Sequence, residues 1–462
     1  MNSHSISTPM PASVLPVSRT YVVLVSMAAA CGGLVFGYDT AVISGAVEPL
    51  RAHFALDPFH LGVLVSSALI GCIGGMFVAG ALTDWIGRRK VIAISAVLFM
   101  VSAAACYFSR SAEELTWARV IGGIGVAFAS LVAPVYIAEL APASIRGGLV
   151  LLNQVGILVG MDLSYLVNAW IGHGRDNSWL ADAGWRVMLG AVGVPALMYF
   201  ILSLLIPESP RWLIKQGRHE SALGVLRRLH GDQQAETEAK EIIGTVAQEQ
   251  GGFRELFQAG SRKVILMAIV LAIFQAITGI NIIMYYAPTI FMSAGIGTGS
   301  ALGHSVIIGT VMLFFTVAST QLVDRLGRRP IMLFAAAGMG TSLGLMGLFF
   351  ADASGSGWKL LVCVLTYVSS FAIGMGGIFF VVISEIFPTR IRGAATSAAV
   401  GVLWCGNYVV SLVFPVMLAT MKGNSFYVFS LTCFACFAFV WRFVPETKGK
   451  TLEEIEHQFY LH

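Results

Sequence analysis

Charge is scarce in this sequence. Only 12% of its 462 residues are Asp, Glu, Lys or Arg, against 56% apolar residues, and the mean hydropathy is +0.79. That is about half the charge of a soluble globular domain. A water-soluble fold of this length lacks the polar surface to hide so much hydrocarbon, so lipid must be its main solvent. The same numbers exclude disorder, collagen-like structure and small disulfide scaffolds. No nucleophile–base grouping, phosphate loop or metal cluster stands out, which argues against an enzyme and against a metal or other cofactor. The net charge of +4 is small, and no nucleic-acid partner is expected. No Asn-x-Ser/Thr sequon occurs, which favours a bacterial inner membrane over a glycosylated animal surface. The first twenty residues are rich in Ser and Pro and lack the basic run of a cleavable signal peptide.

Cysteine is present seven times, always inside an apolar run, and reads as a small buried hydrophobe. Cys433 and Cys436 have redox or metal spacing, but no His or charged partner stands near them.

What is abundant is uninterrupted hydrocarbon. A bilayer core about 30 Å thick needs about 20 helical residues to cross it. Stretches of that kind lie near 21–47, 59–82, 91–109, 115–138, 147–172 and 185–206, then near 262–292, 302–324, 331–351, 359–384, 393–419 and 424–444. The expected organisation is a tail (1–20), a six-helix bundle (21–206), a polar linker (207–261), a second bundle (262–444) and a second tail (445–462). Within the linker, 219–230 and 235–249 read as short amphipathic helices at a membrane surface. With both termini cytoplasmic, inner segments hold 22 of the 29 Lys and Arg residues and outer loops hold 6. That asymmetry predicts both termini inside.

The halves repeat. Asp84-x-x-Gly87-Arg88-Arg89 recurs as Asp324-x-x-Gly327-Arg328-Arg329, Glu139 with Arg146-Gly147 recurs as Glu385 with Arg392-Gly393, and Pro207-Glu208 recurs as Pro445-Glu446. The offsets are 240, 246 and 238 residues, each at the same point of a six-span unit. The fold class predicted is therefore an all-α membrane protein of 12 transmembrane helices in two pseudo-symmetric bundles. Such halves can expose a central site to either side in turn.

Further motifs accompany the repeat: Gly37-Tyr38-Asp39, Gly80 four residues before Asp84, Arg119-x-x-x-Gly123, Pro134 before Glu139, Pro207-Glu208-Ser209-Pro210-Arg211, Gln275 with Gly279 and Asn281, and Pro445-Glu446-Thr447-Lys448-Gly449. Together they resemble the major facilitator superfamily and, within it, the sugar porters. The loop 173–184, with His-Gly-Arg-Asp-Asn-Ser-Trp, is most similar to bacterial proton-coupled pentose symporters of the D-xylose type. The resemblance implies proton-coupled symport of a pentose, hexose or related polyol by alternating access. It also implies a lipid-embedded monomer whose partners are a sugar and protons, with no cofactor beyond the coupling proton.

Asp39 and Arg119 are the charges to weigh first. They lie about 12 Å and 6 Å from the outer ends of their spans, within reach of each other. Ionisable groups inside a membrane are costly and usually mark a pathway. Either Asp39 takes up a proton and releases Arg119, which the resemblance favours, or the pair only fixes two helices. A second charge system, Asp84, Arg88, Arg89, Glu139, Arg146, Asp324, Arg328, Arg329, Glu385 and Arg392, is expected to latch the halves together on the inside, with Asp84 and Asp324 opening the helices that follow them.

For substrate, the polar groups near the midplane are Gln154, Gln275, Asn281 and Tyr285, with Phe36, Phe380, Trp404 and Asn407 as neighbours. Six residues separate Gln275 from Asn281, so a helix break at Gly279 is needed for both to face inward. Four positions depart from the family's usual polar or Trp side chains: Ala276, Met312, Phe380 and Leu403. A less hydroxylated, differently oriented or weakly held substrate is one consequence. Asp162 lies about 80° round the helix from Gln154. It reads either as an extra proton, cation or substrate site, or as a neutral acid bonded between helices. An uncoupled facilitator and a transport-dead sugar sensor remain the alternatives in function.

Overall fold

A computed structural model describes residues 19–142, 144–248, 262–351, 357–387 and 392–448. Within these, 12 helices are long and apolar enough to cross a membrane. In the first half they are spans 1 (Thr20–His53), 2 (Pro58–Ile86), 3 (Arg88–Phe108), 4 (Ala112–Leu140), 5 (Arg146–Gly172) and 6 (Asn177–Leu205). In the second they are spans 7 (Lys263–Ser293), 8 (Thr298–Val323), 9 (Arg328–Phe350), 10 (Gly357–Ile383), 11 (Ala395–Met421) and 12 (Asn424–Phe443). Span 6 starts earlier than its apolar run, because Asp176 accepts the backbone N–H of Trp179 and a π-helical turn at Leu180–Gly184 carries the chain into the bundle.

Local chemistry sets the ends. Asp57 caps span 2 by accepting from His60 N at 2.9 Å, with Pro58 in the first turn, and Ser111 caps span 4 by accepting from Glu114 N at 3.2 Å. Some hydroxyls inside the spans donate to their own helix, as Ser66 does to Gly62 O at 2.7 Å and Thr83 to Ala79 O at 2.6 Å, and others to a neighbouring span, as Ser95 does to Gly125 O at 2.8 Å. Five of the seven cysteines are buried and all are free, but Cys31 is half-buried and Cys405 is exposed, against the expectation of uniform burial.

The linker side of the molecule carries the two Gly-Arg-Arg loops and three short helices, Pro210–Lys215, His219–His230 and Asp232–Gln248. These build a small core of their own from Trp212, Leu213, Ile214, Ala222, Leu226, Ala235 and Ala239. Trp212 Nε1 ties them to the end of span 2 by donating to Asp84 O at 2.9 Å.

His230 is the second tie. Its Nδ1 meets the Glu238 carboxylate and its Nε2 meets Leu140 O at 3.1 Å, so both ring nitrogens face acceptors and both must carry protons. Burial alone would push the imidazole down, but the bonded Glu238 carboxylate outweighs it and holds the pKa above the usual histidine value. A raised histidine pKa contributes its full stability below the unfolded value, about 6.5, and loses it as pH rises through the folded value. We expect His230→Gln to lower the melting temperature at pH 6, by the equivalent of about 2 kcal/mol. The gap to wild type should shrink as pH rises towards 9, and a gap independent of pH would show that the imidazole stays neutral.

Candidate functional site

Span 7 breaks where a break was needed. Helix Arg262–Ile277 stops, Gly279 takes φ +96°, and helix Ile280–Ser293 resumes. A positive φ of that size suits only glycine without strain. Gln275 and Asn281 thereby face one central cavity of about 170 Å³. All eight residues named as substrate neighbours line it: Phe36, Gln154, Gln275, Asn281, Tyr285, Phe380, Trp404 and Asn407. Phe36 of the first half and Trp404 of the second approach to 6.2 Å between ring centroids. Thr40 and Thr316 also line the cavity and were missed, since a single threonine in an apolar run carries no signal of its own. A larger opening of about 710 Å³ lies at the opposite face, between Glu48, Arg51 and Lys422, and none of the eight borders it.

The four departures separate. Met312 and Phe380 stand in the cavity wall, whereas Ala276 and Leu403 are buried away from it. Ala276 serves packing: a Cβ placed on Gly406 of span 11 would lie 2.7 Å from the Ala276 Cβ. A glutamine there would be driven into span 11, so Ala276→Gln is expected to lower thermal stability and yield of folded protein rather than retune selectivity.

Asp39 and Arg119 pair in the first half. Arg119 Nη1 donates to Asp39 Oδ1 at 2.9 Å, and both Nη atoms reach Asp39 O at 3.2 Å. Each residue is 2% exposed. Among the described residues Asp39 Oδ2 and Arg119 Nε find no hydrogen-bond partner although buried, so the pair is left half satisfied. The neighbouring residue Thr40 lines the cavity, whereas Asp39 does not.

The second charge system departs from the expected latch. Arg88 binds Glu139 through Nε and Nη2, each at 3.0 Å, and Asp84 at 3.2 Å, while Ser209 Oγ donates to Glu139 at 2.5 Å. In the second half Arg328 Nη2 binds Glu385 at 2.9 Å and Thr447 Oγ1 donates to Glu385 at 2.5 Å. Among the described residues these ion pairs close within a half, so each cluster fastens its own bundle. Arg89 donates to Ser203 O and Leu204 O at the end of span 6, Arg329 to Trp441 O, and Arg146 to Ala141 O. The side chains of Asp324 and Arg392 lie outside the described residues.

Asp84 does not open span 3 either; it sits in the last turn of span 2. The acid at the start of span 3 is Glu208, which accepts the N–H groups of Arg88 at 2.9 Å and Arg89 at 3.1 Å. Glu446 does the same for Arg328 and Arg329, at the same two distances. Burial would push Glu446 up, but the N–H groups of Lys448, Arg328 and Arg329 hold its pKa below the usual carboxylate range. The repeat of Pro-Glu after spans 6 and 12 was the available signal for these caps.

Asp162 turns away from the cavity to span 8, where the Thr310 hydroxyl lies 3.1 and 3.3 Å from its two oxygens. This contact joins the halves, as do Tyr165 Oη to Met284 O at 2.9 Å and Thr298 Oγ1 to Asn177 Oδ1 at 3.0 Å. All three lie near the midplane or on the side away from the linker. Towards the linker, Gln154 and Phe380 are exposed, the latter by 45%. Among the described residues these side-chain hydrogen bonds between the halves thus lie at the midplane and on the far side, and none is recorded towards the linker.

The comparisons agree with this architecture. The family model described as "Sugar (and other) transporter" matches residues 25–459. The D-xylose-proton symporter of Escherichia coli K12 is 40% identical, over 95% of this chain and 96% of the relative. The arabinose-proton symporter of Bacillus subtilis is 38% identical, over 96% of this chain and 97% of that one. The solved inward-open conformation of the E. coli xylose transporter XylE superposes with a TM-score of 0.85 at 39% identity, covering 95% of this chain and all of the other. With twelve spans in two halves, a broken seventh span and paired Arg–Glu clusters at the linker side, this chain belongs to the sugar transporter family of the major facilitator superfamily.

Proposed function

We propose that the protein is a proton-coupled symporter of a monosaccharide or related polyol, working as a monomer in the cytoplasmic membrane with both termini and the linker inside. The observation that carries this is the Asp39–Arg119 pair, a buried acid with one unpartnered oxygen, next along span 1 to the cavity-lining Thr40. In the arrangement of this structure Arg119 neutralises the carboxylate. When the halves rock open to the outside, a proton taken up by Asp39 replaces that neutralisation and frees Arg119, so that loading of proton and sugar become linked. The amides Gln154, Gln275, Asn281 and Asn407 offer both donors and acceptors, the chemistry that matches sugar hydroxyls. Relatives named as xylose and arabinose proton symporters support the same reading.

The test is uptake by purified protein in liposomes across a panel of pentoses, hexoses and polyols, with and without an imposed pH gradient. Sugar-dependent proton entry and accumulation against the sugar gradient are expected. Equilibration without accumulation, indifferent to pH, would identify an uncoupled facilitator instead. Specific binding without any exchange would identify a sensor.

A further inference from the structure

The central cavity draws its amides from some of its spans only, although those spans also line it with Ile157, Leu158, Met161, Ile280, Met284 and Trp404. Its amides come from spans 5, 7 and 11, as Gln154, Gln275, Asn281 and Asn407. Spans 8 and 10 contribute a wall without amides, as Met312, Phe371, Ala372, Gly376, Gly377 and Phe380. On that wall Thr316 supplies the hydroxyl that lines the cavity. Span 10 passes here through a π-helical turn at Ala372–Gly376, and Ala372 and Gly376 line the cavity. Apart from Thr316, the side chains of this wall offer methyl, thioether and ring carbons.

The polar edge is equally defined. Among the described residues Gln275 Oε1 and Asn407 Oδ1 are buried acceptors without a partner, on neighbouring spans 7 and 11 that touch at Ala276 and Gly406. Orphan acceptors that border a cavity call for donors from the solute. The cavity, about 170 Å³, is below the roughly 300 Å³ at which drug-sized ligand pockets begin, so it suits one ring and not two.

A hydroxyl set against spans 8 and 10 loses its water and finds few partners, a loss of roughly tenfold in affinity for each such group. A hydrogen or methyl group there loses nothing and gains severalfold from burial. Resting on the sugar-transport reading, we propose that the preferred cargo is a deoxy- or O-methyl monosaccharide or cyclitol. Its deoxygenated or methylated edge lies on the wall of spans 8 and 10, and its hydroxyl edge donates to Gln275 and Asn407.

The experiment is counterflow and calorimetric binding with matched pairs that differ only at one such group: L-fucose against L-galactose, L-rhamnose against L-mannose, 3-O-methyl-D-glucose against D-glucose, and D-pinitol against D-chiro-inositol. At least one deoxy or O-methyl member should outcompete its parent by about tenfold. Met312→Gln and Phe380→Tyr, which add polar atoms at nearly unchanged size, should each move that ratio towards the parent by fivefold or more. Parents that compete as well as or better than their partners in every pair overturn this inference and leave sugar transport standing. No exchange and no heat of binding for any member overturns both.

Discussion

Asp39→Asn is expected to abolish accumulation of the solute while leaving counterflow at a comparable rate. Asn has nearly the same shape and keeps Oδ1 as an acceptor for Arg119 Nη1, now 2.9 Å away, so the packing of spans 1 and 4 survives. What is lost is the protonatable oxygen. With one proton per solute, each unit of pH gradient supplies about 1.4 kcal/mol, or up to about tenfold accumulation. The wild type should approach that ratio and Asp39→Asn should fall to unity. Arg119→Ala should also end accumulation, but with a loss of stability of about 3–5 kcal/mol, because it leaves a buried carboxylate without its counter-charge. Unchanged accumulation by Asp39→Asn would exclude Asp39 as the coupling acid and leave the pair a structural one.

The spans and the cavity lining were legible because both are face properties. A run of about 20 apolar residues is a span wherever it packs. Six residues between Gln275 and Asn281 require a break, for which Gly279 is the obvious place. Partner choice was not legible in the same way. Arg88 can reach an acid of its own half or of the other, and nothing in the spacing distinguishes them; Glu139 of the same half binds it. The acid capping span 3 comes from Glu208, 120 residues away, and only the repetition of Pro-Glu hinted at it. Asp162 stands at the edge of the face that carries Gln154, where a rotation of a few tens of degrees decides between cavity and neighbour. Room beside Gly309 decides it: a Cβ there would fall 2.5 Å from Asp162 Oδ1. Ala276 follows the same logic, since its packing against Gly406 depends on how closely two spans approach and not on either sequence alone.

Close approach also governs the second large effect. Spans 1 and 5 touch backbone to backbone: a Cβ on Gly37 would sit 1.8 Å from Ile157 O, and one on Gly160 would sit 2.0 Å from Leu34 O. In lipid no hydrophobic force draws helices together, so such contacts through small residues carry much of the association. Gly37→Ala must push the helices apart by an ångström or more, and we expect a loss of about 3 kcal/mol or more, seen as little folded protein after detergent extraction. Gly74 and Gly80 of span 2 are the controls, since a Cβ on either meets nothing within 4 Å. Their alanine variants should extract and melt like wild type. Gly37 is also two residues from Asp39, so a displaced span 1 carries the carboxylate away from Arg119. Whatever Gly37→Ala protein does fold should therefore exchange solute with weakened coupling. Normal yield, melting and accumulation in Gly37→Ala would mean that spans 1 and 5 are not in backbone contact.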